Sequence, residues 1–222
     1  MTTHGSIGIL GGTGALGRGL AYRWARAGFE IIIGSRDLNR ATEAADELRE
    51  LAGGNARVSG SGLRECAESA DIVVLAVPWA AHDATLEAVG DQVGQKILVN
   101  VVVPLEGGPG GLRAVRPEAG SVCALAQEML PDARVVGGFH HVSYVKLQDV
   151  ESTSIDCDVL LVSDDDDAIA EVRKLVETIP GMRGVHAGKL SGAFAVEGLT
   201  ANLISMNRRY KTNAGIRVTG IA

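Results

Sequence analysis

Apolar residues recur along the chain in two patterns, which predict an alternation of strands and helices. Continuous apolar runs predict buried strands, because a strand covered on both faces of a parallel sheet needs apolar residues throughout. Apolar residues three or four positions apart predict amphipathic helices, as in residues 17–27, where Leu20 and Trp24 fall on one side. The predicted strands are Ser6–Leu10, 29–34, 57–59, 71–77, 96–103, 133–139 and 158–162, and the predicted helices are 17–27, 39–51, Leu63–Ser69, 80–89, 121–130, 165–179 and Ala193–Tyr210. This alternation predicts an α/β fold, a Rossmann-type doubly wound parallel sheet.

Two segments depart from that rhythm. Residues 106–120 are rich in Gly and Pro and predict a long loop, either a lid over a second ligand or plain surface disorder. The pattern changes after about residue 149, which predicts a Rossmann domain of residues 1–149 and a small C-terminal α/β extension of residues 150–222. The helix Ala193–Tyr210 is apolar over most of its surface, so we expect it in the core or in a subunit contact, which is compatible with a homodimer.

Composition excludes several classes of protein. The formal net charge is −6 and we find no basic stripe, which argues against nucleic-acid binding. The three cysteines are widely spaced and unpaired in sequence, which argues against a disulfide framework or a structural zinc site and favours a reduced, cytoplasmic setting. No His, Glu and Asp set has metal-ligand spacing, so we expect no metal. No run approaches the ~20 apolar residues of a membrane span, and residues 1–6 lack an apolar signal region.

The first candidate site is a G-x-G-x-x-G motif, Gly12-Thr13-Gly14-Ala15-Leu16-Gly17, between a predicted strand and a predicted helix. In this context Gly12 permits the tight turn, Gly14 lets the backbone approach a pyrophosphate, and Gly17 lets helix and strand pack closely. The start of the helix then offers free N–H groups to the phosphates. A plain glycine-rich turn is the alternative, whereas a P-loop is excluded because Arg18-Gly19 stands where Lys and Ser or Thr are required.

The end of the second predicted strand indicates which dinucleotide binds. The sequence there is Gly34-Ser35-Arg36, without the Asp or Glu that bonds the ribose of NAD. Arg36 can pair with a 2′-phosphate, Ser35 can donate a hydrogen bond, and Arg40 can add a second positive charge. The alternative is that both arginines are solvated residues at the start of a helix. The pattern favours NADP(H) over NAD(H).

Two further strand ends should face the same crevice, because ligands of open α/β sheets bind outside the carboxyl ends of the strands. Val77, Pro78 and Trp79 end one strand, and Val103 ends the next. These residues are candidates for the nicotinamide half of the site. Trp79 is equally a packing residue at the rim.

The combination of residues 11–21, Gly34-Ser35-Arg36 and Val77-Pro78-Trp79 resembles the NADP-dependent oxidoreductases that use the deazaflavin coenzyme F420. The resemblance continues through Phe139-His140, Leu190-Ser191 and residues 207–215, and so covers essentially the whole chain. It implies reversible hydride exchange between NADPH and F420. It also implies NADP contacts at Thr13, Gly14, Ala15, Leu16, Ser35, Arg36, Arg40, Val77 and Val103. The deazaflavin would lie near His140 and Tyr144, although His141-Val142-Ser143 stands where members of the family can carry Thr-Ile-Pro.

Alternatives remain at three points. His140 either hydrogen-bonds the deazaflavin as a catalytic residue or is a structural histidine bonded to a backbone carbonyl. Arg208, Arg209 and Lys211 either bind the acidic tail of F420 or simply complement the negative end of a helix, and the helix dipole is the preferred explanation. The chain as a whole could instead reduce another acceptor with NADPH, such as an imine, a flavin or a metal centre, or could be a non-catalytic NADP sensor.

Overall fold

The computed structural model describes residues 5–109 and 111–221. Residues 1–4 of the segment predicted to lack a signal region, Gly110 of the predicted loop and Ala222 lie outside the described residues. The strands are β1 Ser6–Leu10, β2 Glu30–Ser35, β3 Val58–Gly62, β4 Ile72–Leu75, β5 Ile97–Asn100, β6 Leu105–Gly108, β7 Gly111–Ala114, β8 Arg134–Gly137, β9 Cys157–Val162 and β10 Met182–Gly188. The helices are α1 Ala15–Arg26, α2 Leu38–Ala52, α3 Leu63–Ser69, α4 His82–Val93, α5 Val122–Met129, α6 Tyr144–Gln148, α7 Asp166–Glu177 and α8 Ala193–Tyr210, with short 3-10 turns at Trp79–Ala81 and Leu190–Gly192.

Eight of the strands form one sheet in the order β10-β9-β8-β5-β4-β1-β2-β3. Neighbouring strands are parallel except for β8 and β9, which meet antiparallel at Gly137 and Val162. β1 lies between β2 and β4, and the direction of winding reverses there, which is the position where open α/β sheets bind ligands. The predicted doubly wound parallel sheet is confirmed.

The two faces of the sheet carry separate apolar clusters. Alternate residues of one strand divide between them, so that Ile9 packs with α1, α2 and α7, while Leu10 packs with α3, α4 and α5. Trp24 of α1 is fully buried in the first cluster, with its ring edge-on to Phe139 at 5.6 Å between centroids. Each fully buried large apolar side chain contributes ~1.5–3 kcal/mol. Within residues 5–109 and 111–221, no helix combines the length and apolarity needed to cross a bilayer.

The C-terminal extension continues the main sheet. β9 and β10 form its edge, and α7 contributes Val172 and Leu175 to the cluster that also contains Ile7 and Trp24. The core therefore runs without a break across the predicted boundary. A division of the chain at residue 149 remains a prediction from the change in sequence pattern.

The segment around α6 is held to α1 by a buried arginine that the sequence patterns did not single out. The guanidinium of Arg23 is almost fully buried and donates hydrogen bonds to four backbone carbonyls at 2.7–2.8 Å, those of Lys146, Leu147, Asp149 and Ser152. Gly19 makes the approach possible, because a Cβ there would lie 2.6 Å from the Cβ of Leu147. α1 thus carries both the glycine motif at its start and the anchor of α6 in its middle.

The prediction of one long loop over residues 106–120 is wrong for its first half. β6 and β7 form a two-stranded antiparallel hairpin, with Leu105 opposite Ala114, that packs against α8. The guanidinium of Arg116 lies 5.4 Å from the ring centre of Phe194 on that helix. The glycine-rich composition concealed a ladder whose stability comes from backbone hydrogen bonds and from packing on a distant helix. For the same reason the patterns did not predict β10, which contains two glycines. They did not predict α6 because its five residues are too short for a helical period to show.

Candidate functional site

A first cavity of about 450 Å³ lies beside the carboxyl ends of β1, β2 and β4. Its lining combines glycine backbone, two arginines and small apolar side chains. These residues are Gly11, Thr13, Gly14, Ser35, Arg36, Asp37, Arg40, Leu63, Ala76, Val77, Pro78, Ala81 and Thr85. The position at the reversal of winding agrees with that of dinucleotide sites in open α/β folds.

The glycines of the motif have separate mechanical reasons to be glycine. The residue with a positive φ is Gly11, at +82°, so Gly11 and not Gly12 provides the left-handed turn. A Cβ at Gly12 would lie 3.0 Å from the carbonyl oxygen of Ile9 and from the side chain of Ile33. A Cβ at Gly17 would lie 2.9 Å from the Gly11 carbonyl oxygen, so its predicted role in close packing of helix and turn agrees with the geometry.

The N-terminus of α1 is open toward the first cavity. Gly14 is its N-cap residue, no side chain caps the helix, and its first turn holds no acidic residue. Among the described residues, no acceptor bonds the N–H groups of Ala15, Leu16 and Gly17. By contrast, the side chain of Asp37 caps the next long helix, α2. Unsatisfied N–H groups and the helix dipole together make the start of α1 a site for an anion.

The charged side chains of the first cavity are arranged for a second anion. Arg36 and Arg40 are exposed, and neither has an ion-pair partner within the described part of the chain. Asp37, between them, is a carboxylate that the prediction for this strand end did not include, and it lines the same cavity. Its carboxylate accepts the backbone N–H groups of Asn39 at 3.0 Å and Arg40 at 3.3 Å. The acid is thereby engaged by α2, and the two guanidiniums are left for a ligand.

The predicted site residues divide between two cavities. Thr13, Gly14, Ser35, Arg36, Arg40, Val77 and Pro78 line the first. Leu16, Val103, His140 and Tyr144 line a second cavity. Gly12, Ala15, Gly17 and Trp79 are not among the lining residues of either. The ring of Trp79 instead lies 5.5 Å from that of His82 and packs against the second apolar cluster.

The second cavity, of about 520 Å³, lies on the other side of the glycine turn. It is enclosed by the ends of β5 and β8, the start of α6 and one side of α8. Its lining residues are Leu16, Val101, Val103, Leu105, His140, His141, Val142, Ser143, Tyr144, Val145, Thr200, Leu203, Ile204, Asn207, Arg208, Asn213 and Ala214. Gly14 lines the first cavity and Leu16 the second, so ligands in the two would meet at the start of α1.

A strained residue presents the histidines of the second cavity. Phe139 has φ +60°, which side chains rarely adopt, and it is fully buried against Trp24. The turn it makes places His140 and His141 directly after β8. Tertiary packing holds this conformation, and such over-determined strain is common at ligand sites.

Both histidines are neutral and keep a nitrogen without a protein partner. Burial lowers the pKa of His140 to about 3 and that of His141 to about 4. The Nδ1 atoms of both are buried and have no hydrogen-bond partner among the described residues. The Nε2 of His141 accepts the N–H of Leu160 at 3.2 Å, so its proton must be on Nδ1. Buried, unpaired donors and acceptors beside a cavity are what a polar group of a ligand would satisfy.

Glu197 is the principal residue of this region that the sequence patterns did not identify. It is fully buried on α8 and accepts the backbone N–H groups of Val122 at 3.1 Å and Cys123 at 3.0 Å, at the start of α5. One turn later, the hydroxyl of Thr200 donates to the carbonyl oxygen of His140 at 2.8 Å. These two contacts fix α8 as a wall of the second cavity.

Cys123, His140 and Glu197 come together behind that wall, with their side-chain ligand atoms within 4.8 Å of one another. The sequence had no metal-ligand spacing that pointed to such a group. Both oxygens of Glu197 already accept backbone hydrogen bonds, and burial holds the pKa of the Cys123 thiol well above its usual range. A protonated thiol is a poor metal ligand. We therefore interpret the group as a buried hydrogen-bond cluster.

Comparison with known proteins agrees with this arrangement. Residues 6–104 match the family described as NADP oxidoreductase, coenzyme F420-dependent. The chain is 40% identical over 221 residues to the F420-dependent NADP reductase of Methanothermobacter thermautotrophicus, an alignment that covers 97% of this chain and 95% of that protein. It is 35% identical to the protein of that name from Methanocaldococcus jannaschii, over 97% and 98% of the two chains.

A solved structure provides a further comparison. A putative F420-dependent NADP reductase from Arthrobacter sp. FB24 superposes with a TM-score of 0.83 at 25% identity, covering 97% of this chain and 100% of the other. The match includes β9, α7, β10 and α8 as well as the Rossmann strands, because it extends over nearly the whole chain. This chain belongs to the family of F420-dependent NADP reductases.

Proposed function

We propose that this chain catalyses reversible hydride transfer between NADP(H) and coenzyme F420, with the nucleotide in the first cavity and the deazaflavin in the second. The observation that carries the proposal is the pair of adjoining cavities. One combines an uncapped helix N-terminus with two unpaired guanidiniums, and the other is mostly apolar with two neutral histidines. When both molecules are bound, NADPH supplies the hydride and F420 accepts it.

The first cavity fits NADP(H) group by group. The free N–H groups at the start of α1 would bind the pyrophosphate. Arg36 and Arg40 would bind the 2′-phosphate, and the hydroxyl of Ser35 would add a hydrogen bond, since its oxygen already accepts the N–H of Asp37 at 3.2 Å. Val77 and Pro78 would contact the nicotinamide half, as the sequence predicted. The roles of Ala15 and Trp79 as cofactor contacts remain predictions, because neither side chain lines the cavity.

The second cavity fits a flat, mostly apolar ring with polar edges. Leu16, Val101 and Val103 would contact the face of the ring, and Tyr144 would close the outer side. The N–H at Nδ1 of His141 is enclosed by protein, so it would donate to a ring carbonyl only after a movement of this side chain, which lines the cavity. His140 would hydrogen-bond the ring in its neutral form, because its lowered pKa leaves it without a charge at neutral pH. These residues align the ring and exclude water, which is the protein's main task in hydride transfer.

A coupled assay tests the proposal. The protein is mixed with NADPH and F420, the loss of deazaflavin absorbance is followed, and NADH serves as the control for the phosphate. We expect oxidation of NADPH at a rate far above that of NADH. Binding of NADPH without any change in deazaflavin absorbance would favour reduction of another acceptor or a sensor.

His140 is the residue whose role in catalysis is most open to direct measurement. His140→Ala should lower turnover about tenfold, the equivalent of one hydrogen bond in the transition state, while the affinity for NADPH stays nearly constant. His186, exposed on β10, provides the matched variant His186→Ala, which should behave as the wild type. Equal turnover of the two variants would remove His140 from the mechanism.

Assembly and location belong to the same proposal. A homodimer is supported by Met206 and Tyr210, which are exposed apolar residues on α8, and light scattering at several concentrations would test it. A reduced, cytoplasmic setting is supported by three buried cysteines that are all free thiols, and cell fractionation would test it.

A further inference from the structure

The side of α8 that lines the second cavity changes in chemistry along its length. Leu203 and Ile204 are apolar, Asn207 is polar, and Arg208 carries a charge. A helix rises 1.5 Å per residue, so the Cα of Arg208 lies about 6 Å beyond that of Ile204 along the helix axis. A ligand that follows this side of the helix would be apolar at one end and anionic at the other.

The positive charges at the end of α8 form no ion pair in the described part of the chain. Arg208, Arg209 and Lys211 are exposed, and none has a carboxylate within 4.0 Å in residues 5–109 and 111–221. Arg183 and Arg217, by contrast, both pair with the buried carboxylate of Asp158. In a chain of net charge −6, three unpaired cations within four residues, one of which lines the second cavity, are a local excess of positive charge.

The backbone at this point is also unusual. Lys211 has φ +50°, and in the described part of the chain Phe139, which precedes His140, is the other non-glycine residue with positive φ. The N–H of Lys211 donates to the carbonyl oxygen of Asn207, whose side-chain oxygen accepts the N–H of Ala214 at 2.7 Å. The chain therefore folds back, and Asn213 and Ala214 line the cavity beside Arg208. Each of the two strained residues is followed within two residues by one that lines this cavity, His140 and Asn213, and strained backbone is common at ligand sites.

We infer that Arg208 and Lys211 form a subsite for the acidic tail of the deazaflavin co-substrate, binding its phosphate or carboxylate groups while the ring occupies the apolar part of the cavity. The inference rests on the proposed function. Lys211 lies in the turn between Arg208 and Asn213, which both line the cavity. A guanidinium and an ammonium three residues apart in the chain suit a group with several anionic oxygens.

Arg209 is the control that distinguishes a tail-binding subsite from the helix-dipole explanation. Arg208 and Arg209 are both in the last turn of α8, so the dipole stabilises both equally. Arg209 follows Ser205 by one turn, and Ser205 lines a different groove, between α8 and β7. Only Arg208 is among the lining residues of the second cavity. The two arginines are therefore a matched pair with equal charge, equal exposure class and different neighbours.

The test compares R208Q, K211Q and R209Q with the wild type on two substrates, F420 and a deazaflavin riboside that ends before the acidic tail. R208Q and K211Q should each raise the KM for F420 about five- to tenfold, as expected for a charge-assisted contact near solvent. Their KM values for the riboside and for NADPH should stay unchanged, and R209Q should match the wild type throughout. Raising the ionic strength should raise the KM for F420 in the wild type and hardly at all in the double variant R208Q/K211Q.

Three results would overturn the subsite. The first is an equal shift of the KM for F420 in R208Q and R209Q, which would show that positive charge anywhere near the helix end suffices. The second is an equal shift with F420 and with the riboside, which would place Arg208 against the ring or give it a role in folding. If the wild type binds NADPH but turns over neither deazaflavin, the proposed function fails instead. Turnover of both substrates with unchanged KM in R208Q contradicts the subsite alone.

Discussion

Two helices that begin at the same edge of the sheet do so in opposite ways. α1 begins at Gly14 with no side-chain cap, whereas α5 begins at Ser121, whose hydroxyl accepts the N–H of Ala124 at 3.0 Å. Glu197 from α8 then closes the start of α5 by accepting two more N–H groups. Both helix starts carry the same partial positive charge. What distinguishes a ligand site from a structural joint is whether the protein supplies the anion itself.

Each arrangement has a cost that its function offsets. A Gly at the N-cap leaves a helix a few tenths of a kcal/mol less stable than Ser, Asn or Asp would, so α1 gives up a small amount of stability. At α5, burial of Glu197 disfavours its charged form and raises its pKa, although the two N–H groups oppose that shift. The carboxylate in return fixes α8 beside the second cavity. The open start serves binding, and the closed start serves the position of a wall.

Placing a carboxylate at the uncapped start of α1 should have the largest effect. Gly14→Asp puts a carboxylate at the N-cap, where Gly14 already has the extended backbone of a cap residue, φ −78° and ψ 163°. We expect the Kd for NADPH to rise about 100-fold or more, because the new charge replaces the pyrophosphate at the helix start. The free energy of unfolding should stay level or rise by a few tenths of a kcal/mol. Calorimetric titration and thermal unfolding measure the two.

Gly14→Ala is the control for the added Cβ, which would lie 3.2 Å from the Gly11 carbonyl oxygen. That variant should lose much less affinity than Gly14→Asp and should gain no stability. Equal loss in both would show that crowding, and not charge, governs the site.

Removing the carboxylate of Glu197 from the start of α5 should have the next largest effect. Glu197→Ala leaves two buried N–H groups without an acceptor, which costs about 2–4 kcal/mol in the free energy of unfolding, measured by urea denaturation. The KM for F420 should rise because Leu203 and Ile204 follow Glu197 on the same helix, while the affinity for NADPH should be unchanged. Glu177, an exposed partner of Arg173 at 2.8 Å, is the control, and Glu177→Ala should cost under about 0.5 kcal/mol. A normal KM for F420 in folded Glu197→Ala would mean that the wall does not depend on this carboxylate.

The contrast between the two helix starts also explains what the sequence could predict. The open start is local: a strand, a glycine turn and a helix lie within residues 6–26, and their spacing is visible. Arg36 and Arg40 follow the next strand for the same reason. The closed start joins Val122 to a glutamate 75 positions away in a mainly apolar helix, and no local pattern marks that residue.

Other features that were missed share this dependence on distance. Arg23 is one of many helical arginines in sequence, and its burial depends on carbonyls more than 120 positions away. The hairpin of β6 and β7 packs against α8, which follows it by some 80 residues. Asp37 is a different case, because an Asp directly before a predicted helix is a local N-cap signal and the sequence alone could have identified it. Long-range hydrogen bonds and strand pairs of weak composition need the structure.

Removing one of the cations beside the open start should have a smaller effect than filling the start itself. Arg36→Gln should raise the KM for NADPH about tenfold or somewhat more, the value of a charge-assisted contact to the 2′-phosphate, and leave the KM for NADH unchanged. Arg40→Gln should act in the same direction and more weakly, because it lies one turn further on. Steady-state rates with the two nucleotides give the ratio. A loss of affinity that is equal for both nucleotides would mean that Arg36 contacts the adenine and does not select the phosphate.

The smallest expected effect is the pH dependence of the free energy of unfolding that comes from His140 and His141, which line the second cavity. Burial lowers their pKa values to about 3 and about 4, whereas in the unfolded chain both titrate near 6.5. Below that pH the unfolded state binds protons that the native state excludes. The contribution is therefore fully present above pH ~6.5 and is lost as pH falls, at up to about 1.4 kcal/mol per pH unit for each histidine.

Urea denaturation at pH 7 and pH 5.5 should accordingly show a loss of about 1 kcal/mol for each buried histidine. His141→Gln, which keeps an acceptor for the N–H of Leu160, should reduce that loss by the contribution of one histidine. His186→Gln, on the exposed part of β10, should leave the loss unchanged. Asp158, whose carboxylate is bonded by Arg183 and has a lowered pKa, loses its contribution only as pH falls below its unfolded value near 4. Burial also lowers the pKa of His82 and raises that of Glu197, so the difference between His141→Gln and the wild type, and not the total loss, reports on His141. An identical loss in His141→Gln and in the wild type would show that this ring accepts a proton inside the fold. In that case the neutral hydrogen-bonding role given to it at the second cavity would be wrong.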